Sequence, residues 1–241
     1  MRLFEKIDSK KIPLHVAFIM DGNGRWAEKK FLPRNFGHSA GVETVENIIK
    51  YSLEVGIKHL TFYAFSTENW KRDKKEVDGL FQIFRDYLND KPDDYIKSGV
   101  RLNIIGDISK LPIDLQQSCA DISEKTKHGN KMVLNLALNY GSRDEILRAV
   151  KLCIDKKLKV TEQSFAANLY TAGQPDPDII IRTSGETRLS NFLLYQSAYS
   201  ELYFAKSLWP AFTISEYKKA LIWFQNKNRR FGGVDKNLKE D

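Results

Sequence analysis

Short, nearly unbroken apolar runs alternate along the chain with stretches whose apolar residues recur every three or four positions. The run His15-Val16-Ala17-Phe18-Ile19-Met20 ends in Asp21-Gly22-Asn23-Gly24. An apolar run of that length closed by turn residues predicts a strand buried on both faces. Similar β-rich runs predict strands over 59–65, 100–105, 131–138, 178–182 and 201–204. Between them, Val42, Val45, Ile48, Ile49 and Ser52 fall at helical spacing over 41–55, and Gly56 stops that helix. Val77, Leu80, Phe81, Phe84, Tyr87 and Leu88 form one broad apolar face of a helix over 76–88. Further helices are predicted over 25–30, 112–127, 142–153 and 215–227, with a short one that Thr161 caps and that runs through Tyr170. Residues 31–38 read as a basic loop, and Pro175-Asp176-Pro177 breaks the chain before 178–182. Strands alternating with helices predict an α/β fold, a single domain over 1–241 whose mostly parallel central sheet is flanked by helices. The ends, 1–13 and 234–241, are expected to be flexible, with fraying from Lys227 onward.

Composition narrows the class. At 241 residues one domain suffices. No apolar run reaches the roughly 18 residues of a membrane span, and Met1-Arg2-Leu3-Phe4-Glu5-Lys6 lacks the apolar core of a signal peptide. Cys119 and Cys153 are isolated, which fits the cytoplasm, and His15, His38, His59 and His128 lack zinc spacing. The net charge of +7 favours an anionic partner, whether nucleic acid, a diphosphate or an anionic membrane surface.

The candidate chemistry sits in three loops, each placed after a predicted strand. In open α/β sheets ligands gather at the carboxyl ends of strands. Asp21 stands there, followed by Gly22, Asn23, Gly24, Arg25 and Trp26. One carboxylate, exposed amides and a helix N-terminus suit a metal-bound diphosphate; a plain strand-to-helix turn with an Asp cap is the alternative. The second loop, Ser66-Thr67-Glu68-Asn69-Trp70-Lys71-Arg72, offers a hydroxyl, a carboxylate, an amide, an indole and a guanidinium. The third runs from Arg182 through Arg188, Leu189 and Ser190 to Phe192, and arginine matches phosphate bidentately. Glu201 heads the last predicted strand, where a carboxylate is expected to reach a metal, and Mg²⁺ on a diphosphate takes one or two protein carboxylates. A G-x-x-x-x-G-K-[ST] loop, a G-x-G-x-x-G after a strand and an Asp-Asp-x-x-Asp cluster are all absent from the sequence. That removes P-loop, dinucleotide and trans-type prenyltransferase readings.

Several of these runs together resemble the cis-prenyltransferases: residues 15–26, Phe36-Gly37-His38, 63–70, Leu138-Asn139-Tyr140-Gly141, 182–192, Leu208-Trp209-Pro210 and Arg229-Arg230-Phe231-Gly232-Gly233. The resemblance covers about His15 to Gly233. It implies a homodimeric, Mg²⁺-dependent enzyme that adds isopentenyl diphosphate repeatedly to an allylic diphosphate of the farnesyl type with Z stereochemistry. The product implied is a long polyprenyl diphosphate of the undecaprenyl kind, the lipid carrier precursor for cell-wall polysaccharide. Carried over, Asp21 holds Mg²⁺ and assists the leaving diphosphate, and Gly22, Asn23, Gly24, Arg25, Arg34 and His38 hold the allylic diphosphate. Ser66 and Asn69 lie near the reacting carbons. The family assigns proton abstraction to Asn69; an amide is a poor base, and orienting the acceptor is the alternative. Trp26, Thr67, Glu68, Trp70 and Arg72 shape the same pocket. Arg182, Arg188, Leu189 and Ser190 bind isopentenyl diphosphate, and Glu201 joins the metal. Ser184 replaces the usual Gly of that loop, and Asp73 stands where Pro often follows Arg72; both touch loop geometry.

A hydrocarbon product needs a water-poor channel, expected between the sheet and the helices over 41–55 and 76–88, unless those faces are ordinary core. The protein is expected to be cytoplasmic, meeting the inner face of the membrane through its product, with no nucleic-acid partner. A basic nucleic-acid-binding protein is the rival from another class, resting on charge, Trp26 and Trp70. A non-catalytic subunit is the rival within the family, and the intact Asp21 and 182–190 stretch argue against it.

Overall fold

Strands β1 (His15–Ile19), β2 (His59–Ser66), β3 (Val100–Ile105), β4 (Met132–Tyr140), β5 (Ile179–Arg182) and β6 (Glu201–Phe204) form one sheet in the order β3-β4-β2-β1-β5-β6. The computed structural model describes residues 7–229. The run Arg230-Phe231-Gly232-Gly233, the whole of the expected flexible end 234–241 and residues 1–6 of the other lie outside the described residues. Every neighbouring pair of strands is parallel, one step beyond the mostly parallel expectation. From β1 the chain forms β2, then β3 at the edge and β4 between them on one side, and returns to β5 and β6 on the other. That reversal opens a crevice beyond the carboxyl ends of β1 and β5, where open α/β sheets bind ligands.

Among the described residues eight α-helices surround the sheet: α1 (Asn23–Glu28), α2 (Arg34–Val55), α3 (Lys74–Asp90), α4 (Pro92–Ser98), α5 (Ile113–Thr126), α6 (Ser142–Asp155), α7 (Glu162–Ala166) and α8 (Ile214–Gln225). Helix α2 is longer than its apolar spacing predicts. It starts at Arg34, so the expected basic loop over 31–38 shrinks to a turn, and Arg34 and His38 stand on the first turns of a long helix. Gly37 hid that start, because glycine weakens a helix interior. It is required there for space: a Cβ on Gly37 would lie 1.9 Å from the Asn23 carbonyl oxygen of α1. Helix α4 was not expected, and α7 stops at Ala166, short of Tyr170. Asp73 caps α3, its carboxylate accepting from the Lys75 amide at 2.8 Å, which explains how the chain enters that helix without Pro.

All five residues of β1 are buried, as expected of a strand covered on both faces. Val16, Phe18, Leu60, Phe62 and Leu134 face the larger core, together with Leu80 and Phe84 of α3 and Tyr217 and Leu221 of α8. Ala17, Ile19, Ala137, Ile180 and Phe192 form the smaller core on the other face. The amino half of that face is polar. His15 Nε2 and Thr61 Oγ1 lie 2.7 Å apart, Asn135 Nδ2 donates to Thr61 at 3.0 Å, and Asn103 donates to Asn135 at 2.8 Å. Burial pushes the His15 imidazole down to about 4. The ends of the described chain meet, with the Asp8 amide donating to Gln225 at 3.2 Å and Gln225 returning a bond to Asp8 at 2.8 Å. Arg229 donates to the Tyr199 carbonyl at 3.1 Å and pairs with Asp178, so the expected fraying does not extend to this residue.

Candidate active site

Asp21 leaves β1 at the crevice, two residues past Ile19, and Gly22 turns the chain into α1 with φ of 109°. That backbone region favours glycine. The two Asp21 carboxylate oxygens each accept from an arginine: Oδ1 from Arg25 at 2.8 Å and Oδ2 from Arg182 at 2.9 Å. Burial alone would raise the carboxyl's pKa, but Arg182 and Arg25 outweigh it and hold it below its usual value. Thr183 Oγ1 donates to the Asp21 carbonyl at 2.7 Å, which ties β5 to the same turn.

The third loop is wound tightly around Arg182. Arg182 donates to Ser190 Oγ at 2.8 Å and to the Arg188 carbonyl, and its side chain is only 5% exposed. Ser184, Ser190 and Asn191 all have positive φ, 81°, 50° and 64°. At Ser184 that conformation is one glycine adopts freely, so the departure noted in the sequence carries a backbone cost. Arg188 instead reaches solvent, 61% exposed, and pairs with Glu186, which also accepts from Arg25 at 3.4 Å.

A second cationic group gathers around Glu76 at the start of α3. Arg34 Nε donates to it at 3.0 Å and Arg72 at 2.9 Å, and His38 Nε2 lies 3.3 Å away. Burial would raise Glu76, but Arg72 and Arg34 outweigh it and keep it ionised. Burial lowers His38 despite Glu76, so the imidazole is neutral at neutral pH.

The second loop is a 3₁₀ turn, Thr67–Lys71, closed by a capping box in which Asn69 Oδ1 accepts from the Ser66 amide at 3.0 Å. Glu68 accepts from Asn191 at 3.0 Å and so joins the second loop to the third.

These loops enclose a polar cavity of about 780 Å³ beyond the strand ends. Of the expected residues, Asp21, Gly22, Asn23, Gly24, Arg25, Arg34, His38, Ser66, Glu68, Asn69, Arg72, Arg182, Arg188 and Ser190 line it. Four others turn away from its walls. Trp26 lies under the Lys30 ammonium, 3.9 Å from its ring centre. Thr67 donates to Asp144 at 3.2 Å. Trp70 donates to Asn139 at 2.8 Å and packs on Phe65 and Phe81. Leu189 packs against the smaller core. The sequence reading missed Tyr63, Arg143, Glu186 and Asn191 in the walls, and Glu76 behind them. Glu186 and Asn191 fall inside an expected loop and were within reach of it; the others arrive through tertiary contacts.

Within this chain Glu201 does not join Asp21. In the sheet Glu201 pairs with Ile179, whereas Arg182 pairs with Phe204 on one side and Ile19 on the other. Glu201 therefore lies three residues below Arg182, roughly 10 Å along the strands, at the amino edge. A parallel strand points its first residue away from the ligand edge, and that rule was available from the sequence.

The donor set at Asp21 suits Mg²⁺ as a partner of a bound diphosphate. A magnesium ion takes one or two carboxylates and completes its octahedron from phosphate and water. A carboxylate oxygen that accepts one arginine N–H keeps a second lone pair. Among the described residues no group of three or more His, Cys, Asp or Glu is placed to enclose a metal, so an all-protein cage is not what the site offers.

A second, apolar cleft opens from the polar cavity between the sheet and helices α2 and α3. It is lined by Val42, Val45, Leu80, Ile83, Phe84, Tyr87, Leu136 and Trp209, and holds about 80 Å³. Met20, Asn23, His38 and Ala64 line both spaces. The cleft lies against the two helices over which a channel was expected. Leu80 and Phe84 belong both to this cleft and to the core, whereas Phe81 and Val77, on the same face of α3, belong to the core without lining the cleft.

The chain is similar to known proteins over nearly its whole length. The family described as "Putative undecaprenyl diphosphate synthase" matches residues 19–232. The isoprenyl transferase of Clostridium tetani is 50% identical over 236 residues, 95% of this chain and 92% of that relative. That of Aquifex pyrophilus is 49% identical over 94% of this chain and 98% of its own. Among solved structures, lavandulyl diphosphate synthase from Lavandula x intermedia, in complex with dimethylallyl diphosphate, superposes with a TM-score of 0.88 at 33% identity, covering 92% of this chain and 99% of its own. A "probable undecaprenyl diphosphate synthase" from Campylobacter jejuni superposes with a TM-score of 0.79 at 39% identity, covering 91% and 98%.

Proposed function

Since the chain belongs to the cis-prenyltransferase family, we propose that it condenses isopentenyl diphosphate repeatedly onto an allylic diphosphate of the farnesyl type, forming Z double bonds. The product is a long polyprenyl diphosphate, undecaprenyl diphosphate, which serves as the lipid carrier precursor for cell-wall polysaccharide. The observation that carries this reading is the continuity of an arginine-lined cavity with an apolar cleft through Met20, Asn23, His38 and Ala64. An amphiphile with a diphosphate head and a hydrocarbon tail matches that sequence of surfaces.

The allylic head lies against Arg25, Arg34, His38 and the amides of 22–24, with its tail toward α3. In binding, it takes over the guanidinium donors that Glu76 and Glu28 hold in the free protein. Isopentenyl diphosphate lies against Arg188 and Ser190, while Arg182 holds that loop and the Asp21 carboxylate in place. The allylic carbon–oxygen bond breaks with its electron pair going to the diphosphate, the isopentenyl double bond attacks the allylic carbon, and a proton leaves. Arg25 and the loop amides stabilise the charge gathering on oxygen. Mg²⁺ bound through Asp21 would neutralise part of the same charge. Asn69 has its carbonyl oxygen engaged by the Ser66 amide, which supports an orienting role for it.

Helix α6 supports a second copy of the chain as partner. Leu147, Val150 and Ile154 form an exposed apolar stripe at helical spacing, which a dimer interface would cover. Among the described residues no helix is long and apolar enough to cross a membrane. The proposed site of work is the cytoplasm, with the membrane's inner face reached through the product.

Incubation with farnesyl diphosphate, labelled isopentenyl diphosphate and Mg²⁺, with and without detergent, followed by sizing of the products, tests the reading. A ladder ending in a long chain supports it. No turnover, or addition of a single unit only, overturns it. Salt-sensitive binding to random oligonucleotides without any turnover would favour the nucleic-acid rival instead.

A further inference from the structure

Helix α1 ends in a turn that breaks two local rules at one residue. The Leu32 amide donates to the Ala27 carbonyl at 3.0 Å and the Phe31 amide to the Glu28 carbonyl at 3.0 Å. This pair of bonds is the Schellman helix stop, whose left-handed position is normally glycine. Here that position is Phe31, at φ of 57°. A bulky side chain in this backbone region is uncommon and costs conformational energy. Phe31 is also 98% exposed, the most exposed large apolar residue among those described, with Leu32 and Phe36 exposed beside it. Neither the backbone nor the core of the chain is served by a phenyl ring at this point. Residues that break local rules without a stabilising return concentrate at functional surfaces.

The surroundings say which surface. Lys29 and Lys30 precede Phe31 in the turn and have no carboxylate partner among the described residues, where the neighbouring Glu28 pairs with Arg34. Lys30 instead lies over Trp26. Phe31 stands three residues before Arg34, which lines the polar cavity, so the turn borders the substrate opening. A projecting aromatic on a turn that also carries two lysines without a carboxylate partner presents apolar surface and positive charge together. It suits a bilayer, where a few apolar side chains enter the acyl boundary and lysines meet anionic headgroups.

We propose that the turn Lys29-Lys30-Phe31-Leu32 seats the protein on an anionic lipid surface, with Phe31 as the inserted anchor and the substrate opening facing the bilayer. The reason for such a visit rests on the proposed function, since a hydrocarbon product must reach a membrane. The test contains no substrate, so its outcome is separate from that of the turnover experiment.

The full-length protein is sedimented with vesicles of phosphatidylglycerol and phosphatidylcholine, and with vesicles of phosphatidylcholine alone. Binding to the anionic vesicles is expected, and Phe31→Gly is expected to weaken it by about tenfold or more, the worth of withdrawing one phenyl ring from an apolar phase. Glycine fits the left-handed turn, so the thermal unfolding midpoint of Phe31→Gly should equal or exceed that of the wild type, and turnover of a short allylic substrate in detergent should be kept. Lys29→Gln with Lys30→Gln should weaken binding to the anionic vesicles and leave the weak binding to phosphatidylcholine unchanged. Vesicle binding by Phe31→Gly equal to wild type overturns the proposal, as does wild-type protein that ignores both vesicles or a Phe31-dependent affinity for oligonucleotides in their place.

Discussion

Arg182 and Asp21 meet at 2.9 Å where two neighbouring strands end, β5 and β1, and the guanidinium is almost wholly buried. The pair joins the two halves of the sheet at its reversal point and keeps a carboxylate ionised in a partly buried place. Asp21→Asn should leave the fold intact, lower stability by about 1–3 kcal/mol because Arg182 loses its charged partner, and lower turnover by roughly a hundredfold or more. Steady-state rates at saturating substrates and urea denaturation check this. The carboxyl's pKa is depressed on folding, so its stabilising contribution is complete above the unfolded value of 3.8 and is lost as pH falls through the lower folded value.

His15 makes a separate demand on pH. Its folded value of about 4 lies below the ordinary 6.5, so between those values the unfolded chain binds the extra proton. Stability should therefore fall as pH drops from about 6.5 to about 4, by about 3 kcal/mol from this residue. His38 and His59 are also lowered by burial and act in the same direction. Denaturation free energies at successive pH values measure the slope, and a flat profile would remove His15 from the account.

Arg188 is the exposed member of the third loop. Arg188→Ala should weaken isopentenyl diphosphate roughly ten- to a hundredfold, the worth of a charged hydrogen bond, and the allylic substrate much less. Arg188→Lys should recover part of the loss, keeping the charge without the bidentate fork. Equal losses for both substrates would merge the two cationic groups into one subsite.

Product length should respond to the residues of α3 that line the cleft. Ile83→Ala and Leu80→Ala should shift the product distribution, Leu80→Ala with a loss of stability as well because Leu80 also belongs to the core, whereas Val77→Ala should only lower stability. Thin-layer sizing of the products separates the two classes, and an unchanged distribution for both cleft variants would place the tail elsewhere.

Ser184→Gly should raise stability by about 1 kcal/mol. It relieves a left-handed serine. The thermal midpoint reads the gain directly.

Most of the architecture was legible because it is written in local periodicity. The strands Val100–Ile105 and Glu201–Phe204 fall at the expected residues, and β1 is buried on both faces as its unbroken run implies. What escaped depends on contacts between distant segments. Gly37 looks like a helix breaker until the backbone of α1 is laid against it. Glu76 reads as one more charge at a helix start, yet it gathers Arg34 and His38 from about forty residues away. Trp70 looks like a pocket wall in a polar loop but is drawn down onto Phe65 and Phe81. Glu201 was placed by its strand and misplaced by its end of that strand, because a list of elements carries no levels until the strands are registered.

The wall shared by the two cavities also bears on inhibition. Met20, Asn23, His38 and Ala64 form a seam along which guanidinium gives way to hydrocarbon within a single side chain's length. A seam of this kind recognises a shape of amphiphile more than a particular diphosphate. Simple anionic surfactants with straight tails, alkyl sulfates and phosphonates among them, should compete with the allylic substrate while still monomeric, and neutral-headed ones of equal length should compete less. A short tail on a compact anion should therefore inhibit at this site, and an anionic surfactant used to handle the protein should leave the site partly filled when an assay begins.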